Sequence, residues 1–204
     1  SSSSAASDVY KRQVMVLPGA NGDVGAGVVD KHAALIADAE LVLLQGEIPA
    51  DGFARAVELA EGRVVVNLAP VIDVDREALR KADPLIVNEH EAQLVLGKEA
   101  SPEECLEELL AEFSSVVVTL GADGALVGNA DGIVRIASPT VVAVDSVGAG
   151  DAFTGALCHR LLKGDSLVEA AAFASRVGAF SVTRPGAQPS YPNYSQLRLE
   201  NGAE

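Results

Sequence analysis

The chain has 204 residues, 49% hydrophobic and 22% charged, a globular composition long enough for one domain with a proper core. Its formal net charge of −14 argues against general nucleic-acid binding, which needs a basic surface, but not against a nucleotide held by backbone amides and a divalent metal. No apolar run reaches the roughly 20 residues of a membrane span, and the two cysteines, Cys105 and Cys158, give neither a disulfide framework nor a metal-ligand spacing.

Residues 1–12 are Ser-rich at the start and do not continue the later pattern, so they read as a non-native or disordered leader. No apolar stretch follows Ser1–Ser7 as a signal peptide requires, and a cytoplasmic setting is expected. The pattern then predicts a strand at 14–17, a helix at 28–37, a strand at 41–44 and a helix at 50–60. Next come a strand at 64–68, a helix at 76–81, a strand at 85–87, helices at 89–96 and 102–113, and a strand at 116–120. A hairpin inserted in the α/β layers is expected from 125–127 and 133–136, around the turn sequence Gly128-Asn129-Ala130-Asp131-Gly132. A strand at 141–144 and helices at 152–162 and 167–182 complete the series. Cys158 falls on the first of these two helices, where a small buried thiol is expected.

Strands separated by helices predict an α/β fold with a mostly parallel sheet flanked by helices. In such sheets ligands bind beyond the carboxyl ends of the strands. Asn67, Asn88, Thr119 and Asp145 lie at or just after predicted strand ends, so they are expected to share one crevice.

The segment Val144-Asp145-Ser146-Val147-Gly148-Ala149-Gly150-Asp151 joins a predicted strand to a predicted helix. Glycines allow a sharp turn and close backbone approach to a ligand. The amides at the start of the helix are open donors, and the helix dipole favours an anion there. Asp151 stands at the rim of that anion cradle, where it either caps the helix or handles a proton. Asn88 and Glu91 are three residues apart at a strand-to-helix junction, so both face one side of the first turn. An amide and a carboxylate suit Mg²⁺, and they equally suit a helix cap. Thr119-Leu120-Gly121-Ala122-Asp123-Gly124 is either a phosphate-approach loop or a tight turn before the hairpin.

Taken together these segments resemble the ribokinase / phosphofructokinase-B family of sugar kinases. The 145–151 stretch is similar to its Asp-Thr-x-Gly-Ala-Gly-Asp signature, Asn88-Glu89-His90-Glu91 to its Asn-x-x-Glu metal motif, and Thr119 to Gly124 to its nucleotide motif. Thr183-Arg184-Pro185-Gly186-Ala187-Gln188-Pro189-Ser190 resembles a C-terminal loop of the family. The four motifs stand in the family's order and cover about residues 13–199.

The resemblance implies a ribokinase-like, Rossmann-like fold and ATP-dependent phosphorylation of a sugar hydroxyl, with D-ribose to ribose 5-phosphate as the expected reaction. It makes Asp151 the catalytic base and a substrate contact, and Gly148, Ala149 and Gly150 the anion cradle. It assigns ATP to Asn88, Thr119, Gly121, Gly124 and Ser175, and Mg²⁺ to Asn88 and Glu91. K⁺ falls to Asp145, Val147, Ser181, Arg184, Gly186 and Ser190, and a sugar contact to Glu47. The family's sugar-binding front and β-lid find no match here. Residues 13–204 therefore read as the C-terminal portion of a kinase domain, N-terminally truncated and inert as a kinase by itself, without the family's lid-mediated homodimer. Two readings stay open beside it: another carbohydrate or nucleoside kinase of the superfamily, and a non-catalytic nucleotide-binding module.

Overall fold

The structure, a computed structural model, describes residues 18–199. The expected leader, 1–12, and the expected strand, 14–17, lie outside these residues. After a short 3₁₀ turn at Gly19–Asp23, the chain forms helices α1 (Ala26–Asp30) and α2 (Ala33–Ala37). The single helix expected at 28–37 is thus broken. His32 leaves helical geometry at φ −113°, ψ 16°. The amides of Lys31 and His32 bond three residues back, to Val28 and Val29, which tightens the turn and ends α1.

Strand β1 (Leu41–Gln45), helix α3 (Ala50–Leu59), β2 (Arg63–Asn67), α4 (Arg76–Leu79), β3 (Leu85–Asn88), α5 (Glu89–Leu96), α6 (Pro102–Leu109) and β4 (Val116–Thr119) follow. The hairpin is β5 (Ala125–Asn129) and β6 (Gly132–Ile136). Helices α7 (Ala149–Leu162), α8 (Leu167–Ser181) and α9 (Tyr194–Leu199) end the described chain, α9 being unanticipated by the sequence pattern. Among the described residues the six strands form one sheet in sequence order. The pairs β1–β2, β2–β3 and β3–β4 are parallel, and β4–β5 and β5–β6 are antiparallel, so the hairpin extends the sheet rather than inserting between layers.

The order explains the layers. Parallel strands added in one direction, with crossovers of one hand, put their connecting helices on one face. Strand residues alternate accordingly. Val64, Val66, Leu85, Val87, Val116 and Val118 pack with Phe53, Leu79, Leu106 and Leu109 of α3, α4 and α6. Val65, Ile86, Val117 and Val127, one residue out of phase, pack with Phe153, Leu157 and Leu161 of α7 and Ala170, Ala171 and Ala174 of α8. Cys158 is buried in this second layer, and burial pushes its thiol up to about 11.

The strand expected at 141–144 does not form. The amides of Val144 and Asp145 both donate to Val182 O, at 2.7 and 3.1 Å, instead of to a neighbouring strand. The chain here runs from the sheet edge to the end of α8, leaving Val142 85% exposed.

Candidate active site

Four adjacent parallel strands end on polar side chains: Gln45, Asn67, Asn88 and Thr119. Register aligns them, Gln45 opposite Asn67 and Asn88 opposite Thr119. Valine and leucine carry each strand through the core, and the polar residue falls where the strand leaves it. The N-terminus of α7 arrives at the same edge. Asn67, Asn88, Glu91, Thr119, Gly148, Gly150, Asp151 and Thr154 line one cavity of about 170 Å³. Of the four residues expected to share a crevice, three line it. Asp145 instead accepts from Val147 N at 3.0 Å and Gly186 N at 2.9 Å.

Gly148 supplies the turn into α7. It is the N-cap, at φ 77° and ψ 3°, a left-handed geometry that favours glycine. A Cβ there would also lie 2.7 Å from Tyr191 Oη and 2.9 Å from Ala187 Cβ. Gly150 differs from expectation, since it sits inside the first helical turn and not in a bend. A Cβ on it would meet nothing within 4 Å. Its missing side chain therefore leaves open space beside the helix N-terminus. The first intrahelical bond is Ala152 N to Gly148 O at 2.9 Å, so the Gly150 and Asp151 amides belong to the open end of the helix. The arrangement suits an anion such as phosphate.

Asp151 is exposed, and its Oδ1 accepts from Gln45 Nε2 at 3.1 Å. Sequence reasoning missed this role for Gln45, although its position at a strand end matched that of Asn67, Asn88 and Thr119. Tyr191, packed against Gly148, was also missed. Its hydroxyl is held up by partial burial and, secondarily, by the charge of Asp151.

Asn88 and Glu91 form the capping box that their spacing allowed. Asn88 Oδ1 accepts from Glu91 N at 2.8 Å, and Glu91 Oε2 accepts from Asn88 N at 2.7 Å. Burial pushes the Glu91 carboxyl up, while the Asn88 amide opposes that shift. The box leaves Glu91 Oε1 uncommitted at the cavity edge. Two oxygen-bearing side chains suit an ion that keeps several waters, so the pair fits Mg²⁺. His90 between them is exposed.

A second cavity, of about 530 Å³, adjoins the first. Thr119, Gly121, Gly124, Ala149, Gly150 and Ser175 are among its lining residues, and Thr119 and Gly150 belong to both cavities. Ser175 is 5% exposed, yet its Oγ has no hydrogen-bond partner among the described residues. A buried hydroxyl left open in a largely apolar cleft fits a ligand with polar edges and a flat apolar body, as a nucleotide has.

On the other side, Asp151 and Thr154 also line an open groove of about 640 Å³ with Leu43, Gln45, Gln188 and Tyr191. Glu47, expected at the sugar, is exposed, accepts from Asn21 Nδ2 at 3.3 Å, and is not among the groove's lining residues. The loop expected to hold K⁺ is tied to the cradle through Asp145. The Gly186 and Val147 amides, in that order, hold the Asp145 carboxyl below its usual range. Ser190 and Ser181 are buried, and their hydroxyls donate to Ala187 O at 2.7 Å and Gly178 O at 2.8 Å. The Arg184 amide donates to Ser181 O at 3.4 Å. Asp145, Val147 and Gly186 thus come together. No group of three or more potential metal-ligating His, Cys, Asp or Glu side chains occurs among the described residues.

Residues 3–193 match the sequence model of the pfkB family carbohydrate kinases. The chain belongs to that family. It is 31% identical over 200 residues to the ribokinase of Schizosaccharomyces pombe, covering 92% of this chain and 63% of that protein. It is 33% identical over 190 residues to the ribokinase of Haemophilus influenzae, covering 89% of this chain and 62% of the other. The crystal structure of ribokinase from Thermotoga maritima superposes with a TM-score of 0.86 at 30% identity, covering 92% of this chain and 64% of that one. The chain thus spans less than two thirds of the length of each of these pfkB relatives. No helix among the described residues is long and apolar enough to cross a membrane.

Proposed function

We infer that this chain carries the phosphoryl-transfer site of an ATP-dependent sugar kinase whose acceptor is D-ribose. One observation supports this most. The three cavities are strung together by shared residues, Thr119 and Gly150 joining the small cavity to the cleft beside Ser175, and Asp151 and Thr154 joining the small cavity to the open groove. A nucleotide in the cleft beside Ser175 would point its phosphates at the α7 N-terminus. An acceptor hydroxyl in the open groove would meet them beside Asp151.

In this reading the acceptor oxygen attacks the terminal phosphorus, the bond to the ADP oxygen breaks, and the hydroxyl proton passes to Asp151. Phosphoryl transfer has a loose transition state, so positioning and charge stabilisation carry most of the catalysis. The open amides at the start of α7, with Gly148 supplying the turn and Gly150 the clear approach, stabilise the phosphoryl oxygens; the Ala149 amide, expected to join them, instead donates to Ser146 O at 3.3 Å. Thr119, Gly121 and Gly124 line the nucleotide cleft, and Ser175 offers the hydroxyl that has no partner among the described residues. Asn88 and Glu91 would hold Mg²⁺, which supplies neutralising charge to the phosphates. Asp145 and the carbonyls of Val147, Ser181, Arg184 and Gly186, with Ser190, would hold K⁺, which steadies the cradle without touching the substrate. Glu47 is a sugar contact only if the loop after β1 moves toward the groove.

A coupled ADP-release assay with D-ribose, D-fructose, a nucleoside or no acceptor tests the reading. In a protein completed to its relatives' length, ribose-stimulated release that falls by about 10²- to 10⁴-fold in Asp151→Asn, with Mg·ATP affinity retained, is the expected result for a lost general base, whereas the 204-residue chain alone should bind Mg·ATP and show negligible ribose-dependent release. Nucleotide binding without stimulation by any acceptor would favour a non-catalytic binding module. A preference for fructose or a nucleoside would overturn ribose as the acceptor.

A further inference from the structure

A chain of polar contacts crosses the ends of the first strands and terminates on Asp151. Gln45 Nε2 lies 3.1 Å from Asp151 Oδ1 and 3.4 Å from Asn67 Oδ1. Asn67 Oδ1 also accepts from Thr154 Oγ1 at 3.4 Å, and Asn67 Nδ2 donates to Ile86 O at 3.4 Å. Asn67 is 8% exposed and Thr154 2%, so the inner members are out of water. The two partners of Gln45 are both acceptors, and only the NH₂ end of its amide satisfies both. Asn67 is fixed the same way, with its oxygen toward two donors and its NH₂ toward a carbonyl. Each member orients the next, and a connected network of this kind restrains its side chains.

We propose that Gln45 is a positioning residue for Asp151, holding its carboxylate in one rotamer through Oδ1 and leaving Oδ2 for the proton of the acceptor. This rests on the assignment of Asp151 as the base. An aspartate in the first turn of a helix has a competing use, since its side chain can turn back to cap the open amides. That would withdraw it from the acceptor and obstruct the anion cradle at once. The Gln45 amide draws the carboxylate toward β1 instead. A neutral amide does this without the full positive charge that would weaken the base. Thr154, three residues after Asp151 on α7, ties the same helix to Asn67 and fixes the distance across which Gln45 reaches.

Three-bond couplings to the Asp151 β-protons, measured by NMR on the whole chain without nucleotide, test the proposal independently of activity. The parent should show a single staggered χ1, and Gln45→Leu should show averaging over the staggered wells. Gln45→Met serves as a second variant of similar length, and the backbone amide spectrum checks that each is folded. In the ribose-dependent assay of the protein completed to its relatives' length, these variants should lower kcat by about 10- to 100-fold with KM for ATP within about twofold, as a misplaced catalytic group does. Unchanged couplings in both folded variants would overturn the proposal and leave the base assignment intact. Averaged couplings with parental kcat would also overturn it. Parental turnover in Asp151→Asn would instead remove the base assignment itself.

Discussion

Gly148 and Gly150 lie two residues apart at the start of α7, yet alanine should affect them in opposite ways. Gly148 sits at φ 77°, and an added Cβ would come within 2.7 Å of Tyr191 Oη and 2.9 Å of Ala187 Cβ. The left-handed geometry alone costs a non-glycine residue about 1–2 kcal/mol, and the contacts add to that. For a domain of this size the melting temperature should fall by about 2–8 °C. Gly150 is helical, and its Cβ would meet nothing within 4 Å. Alanine there removes the conformational cost of glycine in a helix, about 0.5–1 kcal/mol, and should raise the melting temperature by about 1–4 °C. The same methyl group would occupy the space where a phosphate must approach the open amides. Losing one charge-assisted hydrogen bond costs about 1.5–3 kcal/mol, so Mg·ATP affinity should drop by about 10- to 100-fold. Thermal unfolding by circular dichroism and titration calorimetry with Mg·ATP measure the two quantities on the same samples. A Gly150→Ala protein that is more stable but binds poorly is the expected outcome. Parental Mg·ATP affinity in that variant would refute the placement of the phosphates at the α7 N-terminus. A melting temperature lowered in Gly150→Ala would refute the reading of that position as unstrained helix.

Ser175→Ala should stabilise the nucleotide-free chain by about 1 kcal/mol, because it removes a buried hydroxyl that has no partner among the described residues. It should also weaken Mg·ATP binding by a few-fold, and equal affinity in calorimetry would take Ser175 out of the nucleotide site. K⁺ should raise Mg·ATP affinity relative to Na⁺ or tetramethylammonium at fixed ionic strength, and Asp145→Asn should abolish the difference. Identical titrations in all three salts would dismiss the cation site built on the Ser181 to Ser190 segment.

Much of the fold was legible because it follows from local rules. Helices α3, α5 and α8 form near their expected positions, and α5, α6 and α8 begin at capping boxes from Asn88, Ser101 and Ser166. Strands β1 to β4 are short apolar runs that end on a polar residue. Failures occurred where a non-local partner decided the outcome. The apolar run at 141–144 has strand composition, but its backbone bonds to the end of α8 rather than to a sheet neighbour. Gly150 looked like part of a turn, but the left-handed geometry is borne by Gly148 alone among the two. In the site, the motif residues were readable from their resemblance to a family signature, and the capping role of Asn88 and Glu91 from their spacing. Gln45 was not readable as a partner of Asp151. The two are 106 positions apart, and only the order of the sheet brings β1 to the start of α7. Tyr191 was hidden similarly, since nothing near it in sequence announces that it packs on Gly148.

Asp151 and an anion bound at the α7 N-terminus would compete for one place. A carboxylate in the first turn of a helix is favoured by the dipole, and so is a phosphate. Placed at one spot they would repel each other. In the proposed site direction separates them. The open space at Gly150 belongs to the small cavity and the cleft beside Ser175, whereas Asp151 reaches the small cavity and the open groove on its other side. Gln45 draws the carboxylate toward β1, and Gly150 keeps the approach to the amides clear. The same helix end can therefore present donors to an anion on one side and an acceptor to a hydroxyl on the other. Strand order is what makes this possible. If β1 and β2 did not end beside α7 on Gln45 and Asn67, Asp151 would lose the Gln45 bond that draws it aside, and its carboxylate could turn back onto the helix amides that the proposed site reserves for an anion.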